Sequence, residues 1–145
     1  METIITKVNI QTQHELQFIN ITDKVKEVVE TSGVLNGVVF ILTLHTTTAI
    51  TVNECLPDIE RDLSDLVQKL VPDDKSYYHA RFLPTDGQMA VNAPSHLRSA
   101  LLGFQVFFPI QDGKILTGAR QTVYFIELDG PQFRSYVIQV IGNKV

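Results

Sequence analysis

Cysteine occurs once, at Cys55, so a single chain offers neither an internal disulfide nor a zinc knuckle built from several thiolates. Beside Glu54, that residue reads as a small buried filler rather than as a nucleophile. Positive charge is also in short supply, with 12 Lys and Arg against 16 Asp and Glu and a net charge of -4. A domain that grips nucleic acid through its phosphates carries a basic excess, so nucleic acid is not an expected partner. No apolar run approaches the roughly 20 residues that span a bilayer. The opening METIITKVNIQ has no basic region followed by a long apolar segment. A cytoplasmic protein without a membrane partner is the expectation. Glycine-rich phosphate loops, a Gly-x-Ser-x-Gly elbow and kinase signatures are missing too, so no nucleotide cofactor is expected and the serine-hydrolase route is disfavoured.

What is there is a chain of 145 residues, 44% hydrophobic and 19% charged, in the range of a soluble globular domain with a real core. Its most informative stretch is Val38 to Glu54, VVFILTLHTTTAITVNE. Val38 to Leu44 is apolar except for Thr43 and rich in β-branched and aromatic side chains, which predicts a strand covered on both faces. His45, three threonines, Asn53 and Glu54 follow, gathering imidazole, hydroxyls, amide and carboxylate where a rigid strand leaves the core. The plainer reading of the same residues, ordinary strand threonines and a satisfied buried histidine, stays open at this level.

Around this stretch, alternation predicts strands over Glu2 to Ile10 and His14 to Ile21. Thr22 or Asp23 suits the cap of a short helix carrying Val25, Val28 and Val29 and ended by Gly33. Pro57 suits the first turn of a second helix with a stripe of Ile59, Leu63, Leu66 and Leu70, and Asp58, Glu60 and Asp62 favour its start through the macrodipole. Residues Val71 to Val91, which include Tyr77, Tyr78 and His79, hold no sustained period and read as a binding loop. Asn92 suits the cap of a third helix, with Pro94 in its first turn and Gly103 as terminator. Phe104 to Ile110, Lys114 to Thr117, Gln121 to Leu128 and Phe133 to Ile141 read as strands joined at Asp112-Gly113 and Asp129-Gly130-Pro131 turns. About eight mostly antiparallel strands and about three short helices make an α+β fold with a β-sandwich or barrel-like core, in one domain over residues 1–145.

Candidate chemistry centres on His45, His79 and His96, each at the edge of an element or in a loop. Three imidazoles make a set for zinc or another borderline ion with an open position for water or substrate. No His-x-x-His or His-Glu-x-x-His pair supports it, so separate hydrogen-bonded histidines remain the alternative. Glu54 and Asp62 are the carboxylates suited to act as general base or to orient a histidine, although Asp62 also fits a solvated helix face. Arg98, Arg120 and Arg134 suit bidentate contact with phosphate or carboxylate, with ordinary surface charge as the default reading.

These residues together resemble the YjbQ family of small proteins, which carry the designation secondary thiamine-phosphate synthase enzymes. The likeness lies in His45-Thr46-Thr47, Asn53-Glu54, Pro57 and Asp62, a Tyr before His79, Asn92-Ala93-Pro94-Ser95-His96-Leu97 and Leu101-Leu102-Gly103. It continues through Pro109, Asp112-Gly113, Gly118, Gln121, Glu127 and Arg134, covering nearly the whole chain in order. The resemblance implies a β-rich α+β fold assembled as a homotrimer, with the three histidines lining a pocket near the subunit boundary. It also implies a divalent ion, zinc or magnesium, on His45, His79 and His96. The implied activity joins a pyrimidine diphosphate to a thiazole phosphate with release of diphosphate. Glu54 and Asp62 would then serve catalysis, and Thr47, Asn53, Ser95, Arg120, Gln121 and Arg134 would contact a phosphorylated or otherwise anionic small molecule.

Two departures bear on that activity. Ala80-Arg81-Phe82 follow His79 where members carry acidic or amide residues, and Gly118-Ala119-Arg120-Gln121 stands in place of Gly-Thr-Trp-Gln. Exchanging an indole for a guanidinium removes a stacking wall and adds a fixed charge. A non-catalytic module that binds an anionic phosphorylated metabolite is therefore the competing expectation.

Overall fold

The computed structural model describes residues 1–79 and 91–145. Its strands form two antiparallel sheets. In the larger, β1 (Glu2–Gln11) lies beside β8 (Phe133–Asn143), followed by β3 (Asn36–Thr43), β5 (Gln105–Gln111) and β6 (Lys114–Ile115). In the smaller, β7 (Thr122–Glu127) runs between β2 (Gln17–Asn20) and β4 (Thr48–Asn53). Among the described residues three helices join them: α1 (Thr22–Ser32), α2 (Pro57–Leu70) and α3 (Ala93–Leu102). The sheets curl into a half-barrel, so the α+β architecture expected from the sequence is the one found.

Alternation decides what enters the core. Val39 and Ile41 of β3, Phe108 and Ile110 of β5, and Tyr136, Ile138 and Val140 of β8 project from one face of the larger sheet. They meet Val25, Val28 and Val29 of α1, Ile50 of β4, and Val123 and Phe125 of β7. The intervening residues of β7, Tyr124 and Ile126, point the other way into a second cluster with Ala49, Leu128, Leu16, Phe18 and Leu102. All six residues of β7 are buried, which makes it the strand covered on both faces. The role expected for Val38 to Leu44 therefore falls elsewhere. In β3 only Val39, Ile41 and Thr43 are buried, while Val38, Phe40 and Leu42 are half-buried on an outer sheet face. An unbroken apolar run marks both faces as hydrophobic, but it does not say that the same chain covers both.

Other local expectations shift for identifiable reasons. Residues Thr48 to Asn53, read as a polar cluster, are strand β4, because Ala49 and Ile50 supply the buried alternation. Gly33 ends α1 at φ 71°, as expected, and Asp112 and Gly113 take φ 51° and 77° in the β5–β6 turn. Neither Thr22 nor Asp23 caps α1, which starts after Ile21; the Thr22 hydroxyl instead accepts the N–H of Val123. Along α2 the buried contacts are Val67 and, just past its end, Val71, while Leu66 and Leu70 stay exposed. Ile59 and Leu63 are half-buried as expected and align with Val67 and Val71 at a spacing of four, so only the second half of the stripe is offset by one residue, about 100° around the helix. Cys55 is exposed rather than core filler, since β4 ends at Asn53 and leaves it in the turn before α2. The binding loop expected over Val71 to Val91 is described only at residues 71–79 and 91; Ala80-Arg81-Phe82 lie outside the described residues.

Candidate functional site

Polar side chains gather in two places. The first lies where β3 turns into β4, beside the end of β7 and the start of β8. Glu127, wholly buried, receives the Arg134 guanidinium on both oxygens at 2.8 and 2.6 Å, the Thr12 hydroxyl at 2.7 Å, and the N–H groups of Leu128 and Asp129 at 3.0 and 3.1 Å. Arg134 spends another N–H on the Thr47 hydroxyl at 2.8 Å. Burial alone would raise the Glu127 carboxyl, but the hydrogen bonds from Arg134, Thr12 and Asp129 outweigh it and hold the group below its ordinary value. The carboxylate of this buried ion pair is therefore charged and saturated, the condition under which such a pair is tolerated.

His45 sits against the same knot. Its Nε2 accepts the N–H of Ser135 at 2.9 Å, which assigns the proton of the neutral ring to Nδ1. Burial, then the nearby Arg134 charge, push its protonation below the usual histidine range. Thr43 and Thr48 share a hydrogen bond at 2.6 Å, and the Ser99 hydroxyl donates to the Thr48 carbonyl at 2.5 Å, so these hydroxyls are also spent inside the fold.

The second gathering is a cleft of about 370 Å³ lined by Tyr77, Tyr78, His79, Ala93, His96 and Leu97. His79 arrives from the segment after α2 and His96 from α3, and their rings meet edge to face with centroids 5.4 Å apart and planes at 84°. Buried Arg98, also on α3, straps the incoming segment by donating to the Val71 carbonyl at 3.1 and 2.6 Å and to Asp73 at 3.2 Å. The Tyr77 hydroxyl donates to the Pro72 carbonyl at 2.6 Å. Ser95 anchors the start of α3 through its hydroxyl on the Leu128 carbonyl at 2.6 Å. Asn92 stands at the N-cap position, yet its side chain caps nothing: it bridges His79 Nε2 at 3.1 Å and Asp129 at 2.9 Å. Neither Asn92 as a site residue nor Asp129 is legible in the sequence, where they read as a helix cap and a turn. The signals that point to them are the turn for Asp129 and, for Asn92, the cap and its place in the motif shared with the YjbQ family.

The remaining candidates lie apart from this cleft. Glu54 pairs with Arg120 at 3.0 Å in an exposed position, Asn53 bonds the N–H of Glu54, Gln121 closes onto the N–H of Gly118, and Asp62 is exposed on α2. Among the described residues no three His, Cys, Asp or Glu side chains gather as a metal ion requires. Of the three candidate imidazoles, His79 and His96 come together, with ring centroids 5.4 Å apart. The Nε2 of His45 is taken by the Ser135 N–H.

Residues 6–143 match the family model of YjbQ-like UPF0047 proteins. The chain belongs to the YjbQ family. It is 34% identical to a UPF0047 protein of Archaeoglobus fulgidus, over 93% of this chain and 99% of that one. It is 29% identical to the YugU protein of Bacillus subtilis, over 92% and 96%. Among solved structures, a protein of unknown function from Sulfolobus solfataricus superposes with a TM-score of 0.89 at 28% identity, covering 98% of this chain and 99% of that one. A hypothetical protein of Aeropyrum pernix gives 0.87 at 29% identity, covering 99% and 100%. YjbQ membership carries the curled antiparallel fold with it, and the described helices include none long and apolar enough to cross a membrane.

Proposed function

We propose that the His79–His96 cleft binds a small phosphorylated heteroaromatic metabolite and that its reaction is of the thiamine-phosphate synthase type, a transfer that releases diphosphate. The observation that carries this reading is the meeting of two imidazoles, delivered by separate segments, in a cleft whose volume lies within the range of small-molecule sites. Tyr77 and Tyr78 line it beside the imidazoles and offer aromatic surface to a flat ring. A divalent ion held by His79 and His96 would neutralise charge on the departing diphosphate. Purified protein should then carry about one zinc per chain and lose it in a His96→Ala variant, while wild type forms product from a pyrimidine diphosphate and a thiazole phosphate. Product from the His96→Ala variant at wild-type rate removes the cleft from the reaction.

A second reading, a non-catalytic module in the cytoplasm that captures an anionic metabolite, has its own support. Arg120 stands where family members carry an indole, and its guanidinium side chain, paired with Glu54 yet 83% exposed, adds positive charge toward an anion without adding a catalytic group. Thermal stabilisation by either phosphorylated substrate without turnover favours this module over the enzyme.

Assembly as a homotrimer is part of the same proposal. Register places Ile5, Gln139, Phe40 and Phe107 in one row across the outer face of the larger sheet, with Phe40 and Phe107 rings 6.0 Å apart and Phe107 59% exposed. An apolar sheet face of this kind is a surface for another chain. Phe107→Glu should convert the trimer to monomer in sedimentation; a wild-type monomer refutes the assembly.

A further inference from the structure

We infer that Asp129, acting through Asn92, is a positioning residue that fixes hydrogen on Nε2 of His79. The argument is one of donors and acceptors. A carboxylate at Asp129 only accepts, so the Asn92 side chain must present its NH2 there, at 2.9 Å. Its carbonyl oxygen is then turned toward His79, and an oxygen only accepts, so Nε2 of His79 must carry hydrogen across the 3.1 Å contact. The lone pair of the neutral ring is thereby assigned to Nδ1. That lone pair is the one the chemistry proposed above would use.

The relay is built from behind. Asp129 is held by its N–H on Glu127 Oε2 at 3.1 Å, which ties it to the Arg134 and Thr12 contacts of the buried knot. Next to it, Gly130 has no room for a side chain, since a Cβ there would lie 2.2 Å from the His14 carbonyl and 2.6 Å from Glu127 Cγ. The turn is thus fixed on both sides of the carboxylate. On the other side, Asn92 immediately precedes α3, which carries His96, so one short unit holds a partner of His79 and the ring it meets. A helix-capping asparagine would bond backbone N–H groups of the first turn; this one makes no such bond. Its side chain is spent between a carboxylate and an imidazole instead. A ring nitrogen that donates to an outer polar group, leaving the other to bind or react, is the arrangement by which histidine ligands and bases are oriented.

The use of Nδ1 rests on the function proposed above; the hydrogen-bond relay does not, and the test separates them. In the full-length chain labelled with nitrogen-15, ring spectra of His79, assigned by loss in a His79→Gln variant, should show hydrogen on Nε2, protected from solvent exchange, before and after treatment with chelator. Asp129→Asn frees the Asn92 amide to turn, so this proton should exchange about tenfold faster or more, the effect of one lost hydrogen bond. The double variant Asn92→Asp with Asp129→Asn puts the carboxylate against His79 and should restore protection, with the proton moved downfield by a charge-assisted bond. Hydrogen found on Nδ1 in the wild type overturns the inference, as does unchanged exchange in Asp129→Asn. If Asp129→Asn fails to fold, the wild-type assignment still decides it, since hydrogen on Nε2 supports the inference and hydrogen on Nδ1 overturns it. Protection as expected in a protein that binds no zinc leaves the relay standing and removes the metal.

Discussion

The knot around Glu127 and the cleft around His79 are both polar clusters, yet they differ in how completely they are closed. In the knot, both carboxylate oxygens are bonded, Arg134 is 4% exposed, and the neighbouring imidazole is kept neutral by its surroundings. In the cleft, two half-buried imidazoles face a cavity large enough for a metabolite. Residue type alone therefore does not separate a structural site from a working one. Arginine, glutamate, threonine and histidine at the end of a core strand looked like chemistry, and most of them hold the strand ends together.

The comparison breaks if the knot can be opened cheaply. Glu127→Ala strands a buried guanidinium and the Thr12, Leu128 and Asp129 donors, so denaturant unfolding should show a loss of about 3–5 kcal/mol. Replacing Glu127 and Arg134 together with Gln and Met should recover only part of that, because the backbone N–H groups remain to be satisfied. A loss below about 1 kcal/mol for Glu127→Ala would mean that the knot is not structural.

Acid sharpens the same contrast. His45 and Glu127 both bind protons more weakly in the fold than in the open chain, so stability rises with pH across their ranges. The His45 contribution is complete above its ordinary value of 6.5 and is lost as pH falls below it toward the lowered folded value. The Glu127 contribution is complete above 4.5 and is lost as pH falls through its own lowered value. Thermal unfolding should therefore be level between about pH 7 and 9 and decline in two stages on acidification. His45→Gln should remove the upper stage only.

In the cleft the expected effects on stability are small. His96→Ala, at a half-buried position, should cost about 1 kcal/mol or less in urea titrations while removing zinc or ligand binding. Smallest of all, Arg120→Ala breaks an ion pair whose guanidinium side chain is 83% exposed, and should change stability by no more than about 0.5 kcal/mol. If Arg120 contacts ligand, binding falls in that variant without a matching loss of stability.

Much of this was legible from the order of residues. Alternation in β1, β5 and β8, the proline at the start of α2, Gly33 after α1 and the Asp112-Gly113 turn are local signals, and each acts over a few residues where backbone sterics decide. β4 was missed because its threonines read as function, and β3 was given the coverage that belongs to β7. Of the candidate site, His79 and His96 meet as expected, but Thr47 and Arg134 turned inward, and Glu54 found Arg120 instead of the histidines. Which arginine reaches which carboxylate depends on contacts between residues far apart in the chain, and periodicity holds no information about those.

By itself the sequence determined the family, through motifs matched along nearly the whole chain, and the α+β class with most of its helices and strands, because side-chain alternation and turn chemistry are local properties. Only the tertiary structure decided that His45 takes the N–H of Ser135, that His79 faces His96, and that Asn92 serves Asp129 rather than its own helix. The reason is physical: a donor or acceptor is defined by what folding brings within about 3 Å of it, and no reading along the chain measures that distance.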